Sequence, residues 1–261
     1  MDGFVLNGFG LGLFLLAAFL GGLTTGVAGF AMGLVVSGVW LHIITPVQTA
    51  ILIVACTLIS QSYSIWKLRR ALNWRALAPF IVGGIFGVPV GTMLLTYINP
   101  AHLRLGIGVL LLIFSIYNLS RPAIKPVPGH VSADVGIGFF NGLLGGLTGL
   151  GGIVVTVWCQ LRGWPKDVQR AIFQPVILAS GVVTVISFTV ADVITADTVK
   201  LWLLAAPVML AGAWVGQRLY GKLDEAAFRR IVLWLLLLSG LSLIVPWVMS
   251  ISALAHVLTS R

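Results

Sequence analysis

Charge is what this chain lacks most. Only 9% of its 261 residues are Asp, Glu, Lys or Arg, against roughly 25% in a soluble globular domain. None of the four occurs between Asp2 and Lys67, a length sufficient for two or three spans of about 20 residues. With 59% hydrophobic residues and a mean hydropathy of +1.06, the composition predicts an integral membrane protein. Carboxylates are scarce and peripheral: Asp134, Asp167, Asp192, Asp197, Asp224 and Glu225 all fall at predicted span ends or in loops. A carboxylate proton relay of the usual pump type therefore has no seat. The two cysteines, Cys56 and Cys159, lie in apolar segments without CxxC or Cys/His spacing and read as small packing residues.

Motif absences narrow the function. No GxxxxGK[ST] is present, so the chain carries no ATP motor. HExxH, GxSxG and paired-Asp metal motifs are also missing, which argues against an intramembrane enzyme. No cofactor is expected. The net charge of +9 does not point to nucleic acid, because the basic residues sit in short loops where they set membrane orientation. The N-terminus lacks a basic n-region and reads as a span rather than a cleaved leader.

What is present is organised by glycine. Gly145-Gly146-Leu147-Thr148-Gly149-Leu150-Gly151-Gly152 lies inside an apolar run, and Gly21-Gly22-Leu23-Thr24-Thr25-Gly26-Val27-Ala28-Gly29 is its relative in the first half. Glycine weakens a helix by about 1 kcal/mol relative to alanine. Paired glycine-broken segments in matching halves point to a transporter's binding site. Apolar segments are predicted at about 4–20, 26–44, 47–66, 76–97, 102–119, 134–145, 149–161, 170–191, 198–217 and 229–249. The proline-bearing stretch 121–132 divides them into repeats over 1–120 and 133–261. Gly87-x-x-x-Gly91 recurs as Gly212-x-x-x-Gly216, and Gln48 pairs with Gln169 after Pro46 and Pro165.

Placing Lys67, Arg69, Arg70 and Arg75 in the cytoplasm puts thirteen of the sixteen basic residues there, all but Arg104, Lys200 and Arg261. Both termini are then periplasmic, and 121–132 is a cytoplasmic linker. Residues 134–161 enter and leave on the inside yet are too few for two full spans, so they form a re-entrant hairpin. The pair at 4–44 starts and ends outside. The expected fold is all-α, with two inverted-topology repeats of about five segments whose broken helices meet near midplane.

Helix ends at midplane offer N–H groups and partial positive charge to an anion. Candidate binding residues are therefore Thr25, Gly26, Gly29, Gly146, Thr148, Gly149, Gly151 and Gly152. Small-residue helix packing is the competing reading, and it is preferred for Gly87, Gly91, Gly212 and Gly216. Gln48 and Gln169 each open a span and offer amide donors, as binding groups or as caps. Arg170 either attracts the anion or snorkels to the interface. Gln174 shares its helical face, beside Pro175. Among Thr57, Ser60, Gln61 and Ser64, a polar stripe on the third segment, Gln61 is retained as a candidate. Trp40, Trp66, Trp74, Trp158, Trp164 and Trp247 read as interfacial anchors.

The run Gly142-Leu143-Leu144-Gly145-Gly146-Leu147-Thr148-Gly149-Leu150-Gly151-Gly152, its first-half relative and the Gly-x-x-x-Gly spans resemble the TauE/SafE sulfite exporter family over about residues 8–246. The resemblance implies a transporter of the bacterial inner membrane for small sulfur-containing anions such as sulfite, sulfoacetate or other organosulfonates. A secondary exporter is the leading expectation. An importer or bidirectional carrier of another small organic anion, or a membrane scaffold, are the alternatives. The expected partners are a small anion and the lipid bilayer, with no nucleic acid.

Overall fold

The computed structural model describes residues 8–29, 32–68, 73–120 and 126–219, with a few positions between 233 and 245. Its helices are α1 (Gly8–Ala28), α2 (Met32–Ile43), α3 (Pro46–Leu68), α4 (Trp74–Tyr97), α5 (Pro100–Ser120), α6 (Val131–Thr148), α7 (Ile153–Leu161), α8 (Lys166–Val190) and α9 (Ala196–Leu219). Among the described residues no strand occurs. Within the described residues, five helices are long and apolar enough to cross a membrane: Gly8–Val27, Trp74–Tyr97, Pro100–Tyr117, Val168–Val190 and Ala196–Leu219. Most of the expected segment at 229–249 lies outside the described residues, as do 121–125 of the linker. The remainder of that linker is extended up to His130, and α6 already begins at Val131.

The glycine stretches break their helices later than their composition alone suggests. The first was expected to end a segment near residue 20, yet α1 runs unbroken to Ala28, and the chain turns at Gly29, whose φ is +88°. Gly21, Gly22 and Gly26 remain helical because tertiary packing compensates for their low propensity. A Cβ on Gly22 would strike the Met209 carbonyl, and one on Gly26 the Ala213 carbonyl. Glycine here is what lets α1 lie backbone to backbone on α9. In the second stretch α6 continues through Gly145 and Gly146, and Gly149 ends it in the left-handed conformation at φ +75°. Gly152, at φ +139°, precedes α7. With nine residues, α7 is about 14 Å long, half the thickness of a bilayer's hydrocarbon core.

Two helix pairs dominate the packing, α1 with α9 and α4 with α6. They are built alike. Gly212 and Gly216 of α9 meet the carbonyls of Phe19 and Leu23 on α1, while Gly87 and Gly91 of α4 meet those of Phe139 and Leu143 on α6. These four glycines are packing residues, as their place in continuous spans predicts. The core also takes in Trp40, which is fully buried, stacks on Phe14 at 4.8 Å between ring centroids and donates to the Phe14 carbonyl at 3.1 Å. An interfacial anchor was expected there. The correction has a simple cause: α2 is short and its end is covered by α1. Trp74, by contrast, is exposed. Trp247 and the side chain of Trp66 lie outside the described residues. Both cysteines are buried and unbridged.

Candidate functional site

The two helix breaks lie against one seam, formed where α3 packs on α8. These helices run antiparallel. Val54 and Leu58 lie by Gly181, whereas Gln61, further along α3, and Gln174, earlier on α8, both reach Gly29. On α3 the seam presents Val54, Thr57 and Gln61, at spacings of three and four that keep them on one face. On α8 it presents Arg170, Gln174, Ile177, Gly181 and Thr184 at the same spacings.

At the α1–α2 break, three polar side chains gather on the carbonyl end of α1. Gln61 Nε2 donates to the Gly29 carbonyl at 2.8 Å, and Arg170 Nη2 donates to the Val27 carbonyl at 2.9 Å. A helix C-terminus leaves its last carbonyls unpaired and carries partial negative charge, so an amide and a guanidinium are the groups that satisfy it. Gln174 Nε2 sits 2.8 Å from where a Cβ on Gly29 would lie. Residue 29 is thus held to glycine twice, by its backbone angle and by this neighbour. Gln61 and Gln174 are 0% and 4% exposed, yet the Oε1 of each has no hydrogen-bond partner among the described residues.

The α6–α7 break is organised by a residue that sequence reasoning missed. Asn141, fully buried on α6, accepts with Oδ1 from the backbone N–H of Gly152 at 2.8 Å and of Val155 at 3.4 Å. Its carboxamide oxygen therefore occupies two of the α7 donors expected to face an anion. The signal was present: Asn141 is a lone amide inside a glycine-rich apolar run. Thr148 donates to the Leu144 carbonyl at 2.7 Å and accepts from the Leu150 N–H at 3.1 Å, which shapes the turn. Leu150 in turn lies against Gly33 of α2, so the two hairpins touch. Gly145, Gly149 and Gly151, with Val54, Thr57, Ile177, Ser180, Gly181 and Thr184, line a cavity of about 10 Å³, room for about one water molecule. Thr57 belongs to the polar stripe from which only Gln61 is retained as a candidate, and Ser180 and Thr184 are not singled out by the sequence.

The remaining candidates have other neighbours. Gln48 completes a capping box: its Oε1 accepts from the Thr45 N–H, and its own N–H donates to Thr45 Oγ1, both at 3.2 Å. Gln169 Nε2 donates to the Trp164 carbonyl at 2.7 Å, tying down the turn before α8. As α3 and α8 are antiparallel, these two glutamines stand at opposite ends of the seam and are not brought together. Thr25 donates to the Gly21 carbonyl within its own helix at 2.9 Å. Gly26 faces the α9 backbone, and Gly146 faces the Val88 carbonyl of α4. Both are therefore in helix packing. Arg162 is held at the base of the second hairpin, 3.5 Å from Asp134 and stacked 4.8 Å from the Trp164 ring centroid. Trp158 donates to the same carboxylate at 2.8 Å. Trp158 and Trp164 thus bracket a half-buried cation.

A multi-pass helical membrane protein with two broken helix pairs meeting at an internal polar seam has the architecture of a secondary transporter. The chain belongs to the sulfite exporter TauE/SafE family, whose model matches residues 14–243. It is 28% identical over 228 residues to the probable sulfite/organosulfonate exporter TauE of Cupriavidus necator, covering 84% of this chain and 88% of that one. It is 24% identical over 177 residues to the probable inner membrane transporter protein TsaS of Comamonas testosteroni, covering 67% and 73% respectively. No solved structure matches it. The family's members are named as transporters, not enzymes, and a small anionic substrate and a membrane setting follow from that membership.

Proposed function

We propose that the protein is a secondary transporter of the bacterial inner membrane that exports small sulfur-containing anions, sulfite or organosulfonates, through the α3–α8 seam. The observation carrying this reading is that both helix breaks abut that seam, with Arg170, Gln61 and Gln174 gathered at the first break and Thr57, Ser180 and Thr184 lining the cavity at the second. Gly29, Gly149, Gly151 and Gly152 let the backbone approach the passenger, and Thr148 fixes the second turn. Gln48 and Gln169 act at the seam's two ends, the first as a cap on α3 and the second as a tie on the turn before α8.

The repeats are inverted, 1–120 against 133–261, with the linker cytoplasmic and both termini periplasmic. Two facts support this: the distribution of basic residues and the reciprocal pairing of α1 with α9 and α4 with α6. Under a two-fold pseudo-symmetry that exchanges the halves, each pair maps onto the other. The cavity of about 10 Å³ is too small for a sulfur oxyanion. Transport therefore requires α3 and α8 to part so that the seam opens alternately to each side.

An inside-negative potential drives anion efflux by about 2.3 kcal/mol per charge per 100 mV, so export needs no carboxylate relay. The Cupriavidus necator relative, a probable sulfite/organosulfonate exporter, supports the choice of passenger. The test is transport of sulfite and sulfoacetate in proteoliposomes under an imposed potential. The expected result is saturable flux that accelerates with voltage and falls at least tenfold in R170A. Flux indifferent to voltage would remove the electrogenic mechanism, and an R170A variant transporting at full rate would remove the seam.

A further inference from the structure

The first helix break holds more hydrogen-bonding capacity than capping α1 requires. Gln61 satisfies the Gly29 carbonyl with its nitrogen alone. That bond also fixes the amide's orientation, because the reverse would set oxygen against oxygen. Its oxygen is thereby presented as a pure acceptor. It is completely buried and without a partner among the described residues, and the same is true of Gln174 Oε1. A buried carbonyl oxygen left unpaired forfeits the hydrogen bonds it had in water, so two beside one glycine call for a ligand that brings donors.

A bare metal cation would satisfy acceptors, but Arg170 reaches the Val27 carbonyl two residues from Gly29, and its fixed charge opposes a second cation there. An anion with only acceptor oxygens would meet the guanidinium favourably but repel the Gln61 oxygen, whose orientation is fixed. The group that suits all three is an anion that also carries an O–H or N–H. From this, resting on the transport reading above, we propose that Gln61 and Gln174 are a specificity-determining acceptor pair, selecting donor-bearing monoanions: hydrogen sulfite over sulfite, and hydroxyalkanesulfonates over plain alkanesulfonates. The negative end of the passenger faces Arg170, and its donor faces the amides. Transport of sulfur(IV) then follows the hydrogen sulfite fraction and falls as pH rises through its deprotonation.

The discriminating pair is 2-hydroxyethanesulfonate and ethanesulfonate, equal in charge and differing by one hydroxyl. In proteoliposomes of the full chain, the expected kcat/KM ratio is at least about tenfold in favour of the hydroxy compound, since a site built to bond a donor rejects the analogue lacking it. In Q61M the ratio falls to about one, with monodispersity in detergent reporting the fold. Q174M gives the second measurement should Q61M not assemble. Equal transport of the two anions by the unaltered protein overturns this proposal and leaves the transport reading standing, as does a tenfold ratio that persists in both variants. An absolute requirement for sodium, tested by replacement with a large organic cation, assigns the oxygens to a metal and likewise overturns it. Transport of neither sulfonate and no sulfur(IV) removes the transport reading and this proposal together.

Discussion

Among single residues, amides divide the labour according to what their neighbours leave unpaired. Gln48 and Asn141 both satisfy helix N-terminal donors, one at the rim of the seam and the other in its interior. Their losses should differ accordingly. Gln48→Ala removes half of a capping box and is expected to cost about 1 kcal/mol, with KM for the anion unchanged. Asn141→Leu strands two buried N–H groups and is expected to cost roughly 1–3 kcal/mol. Thermal unfolding in detergent, paired with transport kinetics, checks both. A large rise in KM for Q48A would return Gln48 to the binding site. The capping role is legible in the residues themselves: Thr45-Pro46-Val47-Gln48 is a capping box with proline at the first helical position. The pairing with Gln169 points to function instead. Gln61 and Gln174 stand out in the sequence as candidates. That they converge on Gly29 is not readable there, because it depends on α3 and α8 crossing next to a break in a third helix.

At the scale of elements, the sequence announces that the helices break but not where. Propensity spreads the penalty over every glycine in a cluster, whereas the fold uses most of them for helix contact and breaks only at Gly29 and at Gly149–Gly152. Space around each glycine separates the two uses. On the α4–α6 pair, a Cβ on Gly87 would strike the Phe139 backbone, while one on Gly136 meets nothing within 4 Å. Gly87→Ala is therefore expected to destabilise by roughly 1–3 kcal/mol through forced helix separation. Gly136→Ala should stabilise by about 0.5–1 kcal/mol through helix propensity alone. A thermal-shift series on the two variants measures the contrast, and equal shifts of the same sign would mean that the pair does not pack this closely.

For the molecule as a whole, the central question is which surfaces slide. The glycine-mediated pairs bring backbones into contact and leave little freedom, so motion is expected across the seam between α3 and α8. Val54 Cγ1 lies 3.8 Å from the position a Gly181 Cβ would take, so this is the point where a cross-link between the two helices is most direct. With Cys56 and Cys159 first replaced by alanine, Val54→Cys combined with Gly181→Cys should lock the seam on oxidation and abolish flux, and reductant should restore it. Undiminished flux in the oxidised, cross-linked protein would show that the helices open elsewhere.

The exchange of helices between halves also has a consequence for how the chain is made. α1 finds its backbone partner in α9, so about 190 residues separate the middle of one from the middle of the other. At a synthesis rate of about 5–20 residues per second, α1 waits some tens of seconds in the membrane with its glycine face towards lipid. Half a protein is not a smaller protein here: ribosomes that stall midway would release a fragment already shaped to grip something it never received.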